Sequence, residues 1–136
     1  TVMIANSVAE LAEQANLIVT TTPSTSQVLK AEHIKPGTHI TAVGSDTKEK
    51  QELDSEVLVT ADFVVADSIK QCQSRGEIYQ AIKSQKISTS QVVELGNIIA
   101  KGEGRSNERQ ITIADLTGVA IQDIKIAEAV YLASIK

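Results

Sequence analysis

The chain has 136 residues, of which 42% are hydrophobic and 22% charged, with a formal net charge of −4. That length suits one domain with a proper hydrophobic core, and the scattered Lys and Arg with only 2% aromatic residues give neither the basic stripe nor the stacking platforms of a nucleic-acid binder. No apolar run approaches the roughly 18 residues of a membrane span. The single cysteine, Cys72, excludes an intramolecular disulfide, and with no signal-like start the expected location is the cytoplasm.

Strand-like and helix-like stretches alternate along the chain, the pattern of an α/β fold with a parallel sheet and helices on its faces. Thr1-Val2-Met3-Ile4 reads as a short β-run. Ser7-Val8-Ala9-Glu10 has the Ser-x-x-Glu form of a capping box and opens a helix with Val8, Leu11, Ala12 and Ala15 on one face. Residues 16–22 are nearly all apolar or β-branched, as a strand covered on both faces would be, and Pro23 ends them. A short helix is expected at 27–33, then a turn at Lys35-Pro36-Gly37. The next strand, 38–43, stops at Gly44-Ser45-Asp46.

Asp54-Ser55-Glu56-Val57-Leu58 reads as a capped short helix, and Phe63-Val64-Val65-Ala66 as a strand running into Asp67-Ser68. Ser68 with Gln71 forms a second capping-box pair, whose helix breaks at Gly76 and resumes through Lys83. Residues 88–100 have amphipathic helical spacing at Val92, Val93, Leu95, Ile98 and Ile99. After a glycine-rich loop, a strand at 110–114 ends in Asp115-Leu116-Thr117-Gly118, and a last helix spans 120–135.

Four strand ends are small and polar: Thr20-Thr21-Thr22-Pro23-Ser24, Gly44-Ser45-Asp46, Asp67-Ser68 and Asp115-Leu116-Thr117-Gly118. In an open parallel sheet these ends lie along one rim, where ligands bind. The plain alternative is that such residues cap the following helices. Asp67-Ser68 fits capping, Asp115 fits either role, and Asp46 fits function, because residues 47–51 separate it from the next apolar turn. Gly44 points to a close backbone approach. His33 and His39 lack metal-ligand spacing, Cys72 reads as a small buried apolar residue, and Lys48, Glu49 and Lys50 read as a solvated loop. No Gly-x-Gly-x-x-Gly or Walker loop is present.

Taken in order, Ile18 to Ser24, Lys35 to Asp46 and Lys50-Gln51-Glu52-Leu53 resemble the ornithine cyclodeaminase/mu-crystallin family. So do Asp67-Ser68, Glu94-Leu95-Gly96, Gly104-Arg105, and Ile111-Thr112 through Gly118 to Gln122-Asp123. The resemblance covers nearly the whole chain but only the later part of the family's Rossmann-type NAD(P) domain. It implies a partial Rossmann-like, three-layer parallel sheet belonging to a longer cytoplasmic enzyme that forms a homodimer, with this segment inactive alone. The implied cofactor is NAD, or NADP, and the implied partner a small amino acid or cyclic imine, with no nucleic acid and no membrane.

Residue by residue, the resemblance makes Asp46 the catalytic acid/base. It places Thr21, Thr22, Val43, Gly44, Ser45, Lys50 and Leu116 at the cofactor and Thr117 at the substrate. Many members carry Ser where this chain has Leu116, and Asp-Leu-Thr-Gly is nearer to the ectoine-utilisation branch. The loop after Asp46 also lacks the family's common Pro-Gly. The type reaction is cyclodeamination of ornithine to proline through a hydride-generated imine. A ketimine reductase, an amino-acid dehydrogenase and a non-catalytic binding protein are the alternatives.

Overall fold

The computed structural model describes residues 2–135. Five short strands form one parallel sheet: β1 (Leu17–Thr20), β2 (His39–Ala42), β3 (Phe63–Ala66), β4 (Val92–Glu94) and β5 (Thr112–Asp115), in spatial order β1-β2-β5-β3-β4. The alternation of a strand puts every second residue on one face. The register then lines up Ile18, Ile40, Ile113, Val64 and Val92 in one row across all five strands. That row is buried and is the spine of the core.

Against this face pack α1 (Val8–Gln14), α2 (Ser55–Thr60) and α4 (Glu77–Lys83), which supply Ala12, Val57, Leu58, Ile78 and Ala81 to the same core. The short α3 (Ile69–Cys72) leads into α4, with the break at Gly76 as expected. On the opposite face α5 (Leu95–Lys101) sets Leu95 and Ile98 against Phe63 and Val65, giving three layers. Much of that face is open, with Leu17 63%, Val19 56% and Val43 40% exposed. The last helix, α6 (Ala120–Ser134), buries no residue. Among the described residues no helix is long and apolar enough to cross a membrane.

Four local expectations are corrected. Val2, Met3 and Ile4 form no strand and are exposed, because no neighbouring strand pairs with them; Thr1 of that run lies outside the described residues. Residues 27–33 form only a 3-10 turn at Ala31–His33, preceded by a β-bridge from Leu29 to Leu53. The segment read as a helix from 88 to 100 holds a 3-10 turn, then β4, and only then α5. Val92 and Val93 pair with Val64 and Val65, so tertiary pairing overrides a spacing that suits either element. Ser68 is the N-cap of α3 but makes no side-chain cap bond; Asp67 Oδ1 takes the Ser68 N–H at 2.7 Å, and Glu94 Oε1 takes that of Ile69 at 3.2 Å.

At α1 the cap forms as read, with Ser7 Oγ accepting from Glu10 N at 3.1 Å. The Glu10 carboxylate returns to Asn6 N rather than to the cap residue's own amide.

The two faces should answer differently to truncation. Ile113→Ala is expected to destabilise this chain by about 2–5 kcal/mol in urea unfolding. Leu17→Ser on the open face should change stability by no more than about 0.5 kcal/mol. Equal losses would mean that the open face is covered in solution.

Candidate functional site

All five strands run parallel, so the polar ends of four of them share one rim, in the order Thr20, Ala42, Asp115 and Ala66. Backbone pairing continues one step beyond the strands: Val43 N donates to Thr20 O at 2.9 Å, Leu116 N to Ala42 O at 2.8 Å and Asp67 N to Asp115 O at 3.2 Å. Beyond that step carboxylates take over.

Glu52 is fully buried. Its Oε1 accepts from Thr22 N at 2.5 Å and its Oε2 from Gly44 N at 3.0 Å, so one side chain ties the ends of β1 and β2. Glu77, at the start of α4, accepts from Glu52 N at 2.7 Å and Leu53 N at 3.1 Å. Asp115 Oδ2 accepts from Ile78 N at 2.8 Å, which anchors α4 to the end of β5. Asp67 accepts from the Thr117 hydroxyl at 3.1 Å and from Gly118 N at 2.9 Å, closing the rim between β3 and β5.

Two glycines exist for these carboxylates. A Cβ on Gly44 would lie 2.6 Å from the Glu52 carboxyl group and closer still to the Thr22 carbonyl oxygen. Gly76 has φ +92°, and a Cβ there would lie 2.6 Å from Asp115 Oδ2. The close approach expected at Gly44 is therefore to the protein's own carboxylate.

Asp46 stands at the end of β2 with its side chain 53% exposed. Lys50 Nζ donates to its Oδ1 at 2.7 Å, and that hydrogen bond, helped by the lysine's charge, holds the Asp46 carboxyl below the usual carboxylate range. The buried Ser45 hydroxyl donates to Lys50 O at 2.8 Å and fixes the turn that carries both. Thr21, Thr22 and Val43 are exposed beside them, and Leu116 is half-buried at the end of β5. Thr117 is 3% exposed and its hydroxyl is committed to Asp67.

The residues named from the sequence thus fall into two groups. Thr21, Thr22, Val43, Asp46, Lys50 and Leu116 make an accessible shelf, whereas Gly44, Ser45 and Thr117 are the framework beneath it. The shelf offers hydroxyls, an apolar centre at Val43 and Leu116, and one exposed carboxylate paired with Lys50. Among the described residues, the buried Thr20 Oγ1 has no hydrogen-bond partner.

Glu52 and Glu77 were invisible as framework residues in the sequence. Glu52 lies in the charged stretch Lys48-Glu49-Lys50-Gln51-Glu52, and nothing in composition separates it from its solvated neighbours. His39 is a hydrogen-bonded strand residue, with Nδ1 2.7 Å from Thr112 Oγ1; burial, with the Arg105 charge, lowers its pKa. His39, Thr112, Arg105, Phe63 and Leu95 line an apolar cavity of about 360 Å³ near the starts of the strands, away from the rim. Burial, with the charges of Asp115 and Asp67, drives the Cys72 thiol pKa well up, as for an inert core thiol.

Residues 1–134 match the ornithine cyclodeaminase/mu-crystallin family. The chain is 45% identical over 125 residues to an alanine dehydrogenase of Archaeoglobus fulgidus, covering 90% of this chain and 38% of that protein. The crystal structure of the Paracoccus denitrificans iminosuccinate reductase in complex with NAD+ superposes with a TM-score of 0.83 at 41% identity, over 90% of this chain and 38% of that one. The Thermococcus litoralis Δ1-pyrroline-2-carboxylate reductase, in complex with NADH and L-proline, gives 0.90 at 30% identity, over 96% and 41%. The chain spans 35% to 38% of the length of the first curated relatives it matches.

Burial is the main cause that pushes Asp115 up to about 8 and Glu77 up to about 7, from 3.8 and 4.5. An acid that binds its proton more tightly when folded stabilises the fold fully below its unfolded pKa, and that contribution falls as pH rises to the folded value. The window here runs from about pH 4 to 8, with at most about 1.4 kcal/mol per pH unit for each group. Asp115→Asn keeps one acceptor oxygen for Ile78 N but cannot ionise. Its stability deficit relative to wild type should therefore shrink from pH 5 to pH 8 in urea unfolding; a constant deficit would show that Asp115 does not titrate in this window.

Proposed function

The chain belongs to the ornithine cyclodeaminase/mu-crystallin family, and we propose that it is the later part of the NAD(P)-binding domain of a longer enzyme acting on an amino acid or cyclic imine. The supporting observation is Asp46: a solvent-reachable carboxylate on the strand-end rim, beside the Val43–Leu116 shelf and oriented by Lys50. The relatives named above are a dehydrogenase and two reductases, and two of them are solved with NAD+ or NADH. Relatives of this kind support oxidoreduction at the carbon bearing nitrogen as the shared chemistry. Cyclodeamination of ornithine is the fuller cycle built on it, and Leu116 in place of the family's frequent Ser favours a different amino acid.

The nicotinamide end would lie over Val43, Gly44 and Leu116, with the Thr21 and Thr22 hydroxyls within reach of its ribose. Bound there, the cofactor would accept or return a hydride at the substrate carbon. Asp46, ionised at neutral pH, would accept the proton that leaves the nitrogen and return it in the reverse direction. Lys50 holds the carboxylate in place and keeps its basicity low. Thr117 would act on substrate only through Asp67 and the loop at Gly118. The phosphates would be held outside this chain, which has no glycine-rich phosphate loop.

In the full-length protein, Asp46→Asn should reduce turnover by about 10²–10⁴-fold while leaving NADH affinity nearly unchanged. Normal turnover would remove Asp46 from the chemistry. Lys50→Met removes the hydrogen bond that depresses the Asp46 pKa, so the acid limb of the kcat/KM profile should move to higher pH. NADH titrated into the 136-residue chain alone should leave its fluorescence unchanged; micromolar binding would show that the rim holds the cofactor unaided.

A further inference from the structure

The proposed shelf is assembled from two separate chain ends, and the sheet controls them unequally. Pairing between β1 and β2 ends with Val43 N and Gly44 N on Thr20 O, at 2.9 and 3.2 Å. Thr22 lies beyond that ladder, and its N–H goes to Glu52 Oε1. The other oxygen of the same carboxylate takes Gly44 N at 3.0 Å. A Cβ on Gly44 would collide with this carboxyl group, so the fit between the two is close.

Glu52 is itself held from both sides. Its N–H donates to Glu77 Oε1 at 2.7 Å, and its carbonyl accepts from Val28 N and Leu29 N at 2.7 and 2.9 Å. The residue is fully buried, so its carboxylate has no solvent to exchange these partners with. A rigid backbone thus aims one bidentate acceptor at the two amides that set the spacing of the shelf.

We infer that Glu52 is a positioning residue for the nicotinamide end of the cofactor, an inference that rests on the cofactor reading above. It touches neither cofactor nor substrate. It sets the separation of Thr22 and Gly44, whereas Asp46 is held separately by Lys50 and the Ser45 turn. Uncoupled, the Thr22 segment would sample other positions, and cofactor binding would have to order it at a cost in affinity.

The test uses full-length protein and two variants. Glu52→Gln replaces one acceptor oxygen with an NH2 group, which cannot accept from an amide. Glu52→Asp keeps both carboxyl oxygens but is one methylene too short to reach both amides. For each variant NADH Kd and the cofactor KM should rise about tenfold, the worth of about one buried hydrogen bond. Turnover at saturating cofactor should stay within about threefold of wild type, a split that loss of folded protein would not produce.

A folded Glu52→Asp variant with wild-type NADH affinity would overturn the inference while leaving the cofactor reading intact. Wild-type protein that binds no NADH would sink the cofactor reading and this inference with it. Amide exchange on the wild type needs no variant: Thr22 N–H should exchange far more slowly than that of exposed Thr47, and equal rates would overturn the assignment.

Discussion

Where parallel strands stop, the last N–H groups lose their ladder partners, and in this chain buried carboxylates receive them. Asp115 at the end of β5 holds the first turn of α4 through Ile78 N. That turn carries Glu77, which holds the amides of Glu52 and Leu53. Glu52 in turn holds Thr22 and Gly44 at the ends of β1 and β2. The connections form a circuit from the middle of the sheet, through a helix and a loop, back to the neighbouring strand ends. That circuit, together with the ladder bonds of Val43 N and Leu116 N, fixes the position of the exposed shelf.

Such an arrangement is costly in isolation. A carboxylate taken out of water loses several kcal/mol of solvation, and several such groups near one another repel. The strong upward pull on the Asp115 and Glu77 pKa values expresses that cost. What offsets it is that each acid accepts backbone N–H groups that would otherwise be buried unpaired. The two glycines complete the fit, since Gly44 and Gly76 are the positions where a Cβ would strike a carboxyl group. The result is a defined geometry at the rim rather than extra stability.

The two faces of the sheet differ in a way that bears on the proposed place of this chain in a longer protein. One face carries the Ile18–Ile40–Ile113–Val64–Val92 row under three helices. Among the described residues the other has only α5, and leaves Leu17 and Val19 exposed at the β1 edge. Along α6, Ile121, Ile124, Ile126, Val130, Tyr131 and Leu132 are all at least half exposed. Apolar surface of this extent is what a segment would present if the remaining length of its relatives packed against it.

The sequence by itself determined the α/β class, four of the five strands, the break at Gly76, the cap at Ser7 and the polar rim, because these follow from local periodicity and turn chemistry. It also singled out Asp46, since a carboxylate that precedes no helix has no capping duty. Tertiary structure alone decided that 92–94 is a strand, because two adjacent valines suit either element until Val64 and Val65 offer a ladder. It decided that Val2 to Ile4 stay unpaired, for want of a neighbour. It decided, too, that Gly44 and Thr117 serve the framework and that Glu52 and Glu77 lie at its centre. An acidic residue in a charged loop looks the same in sequence whether it faces water or a pair of orphaned amides. Only the fold, by bringing residues 22, 44, 52 and 77 together, distinguishes the two.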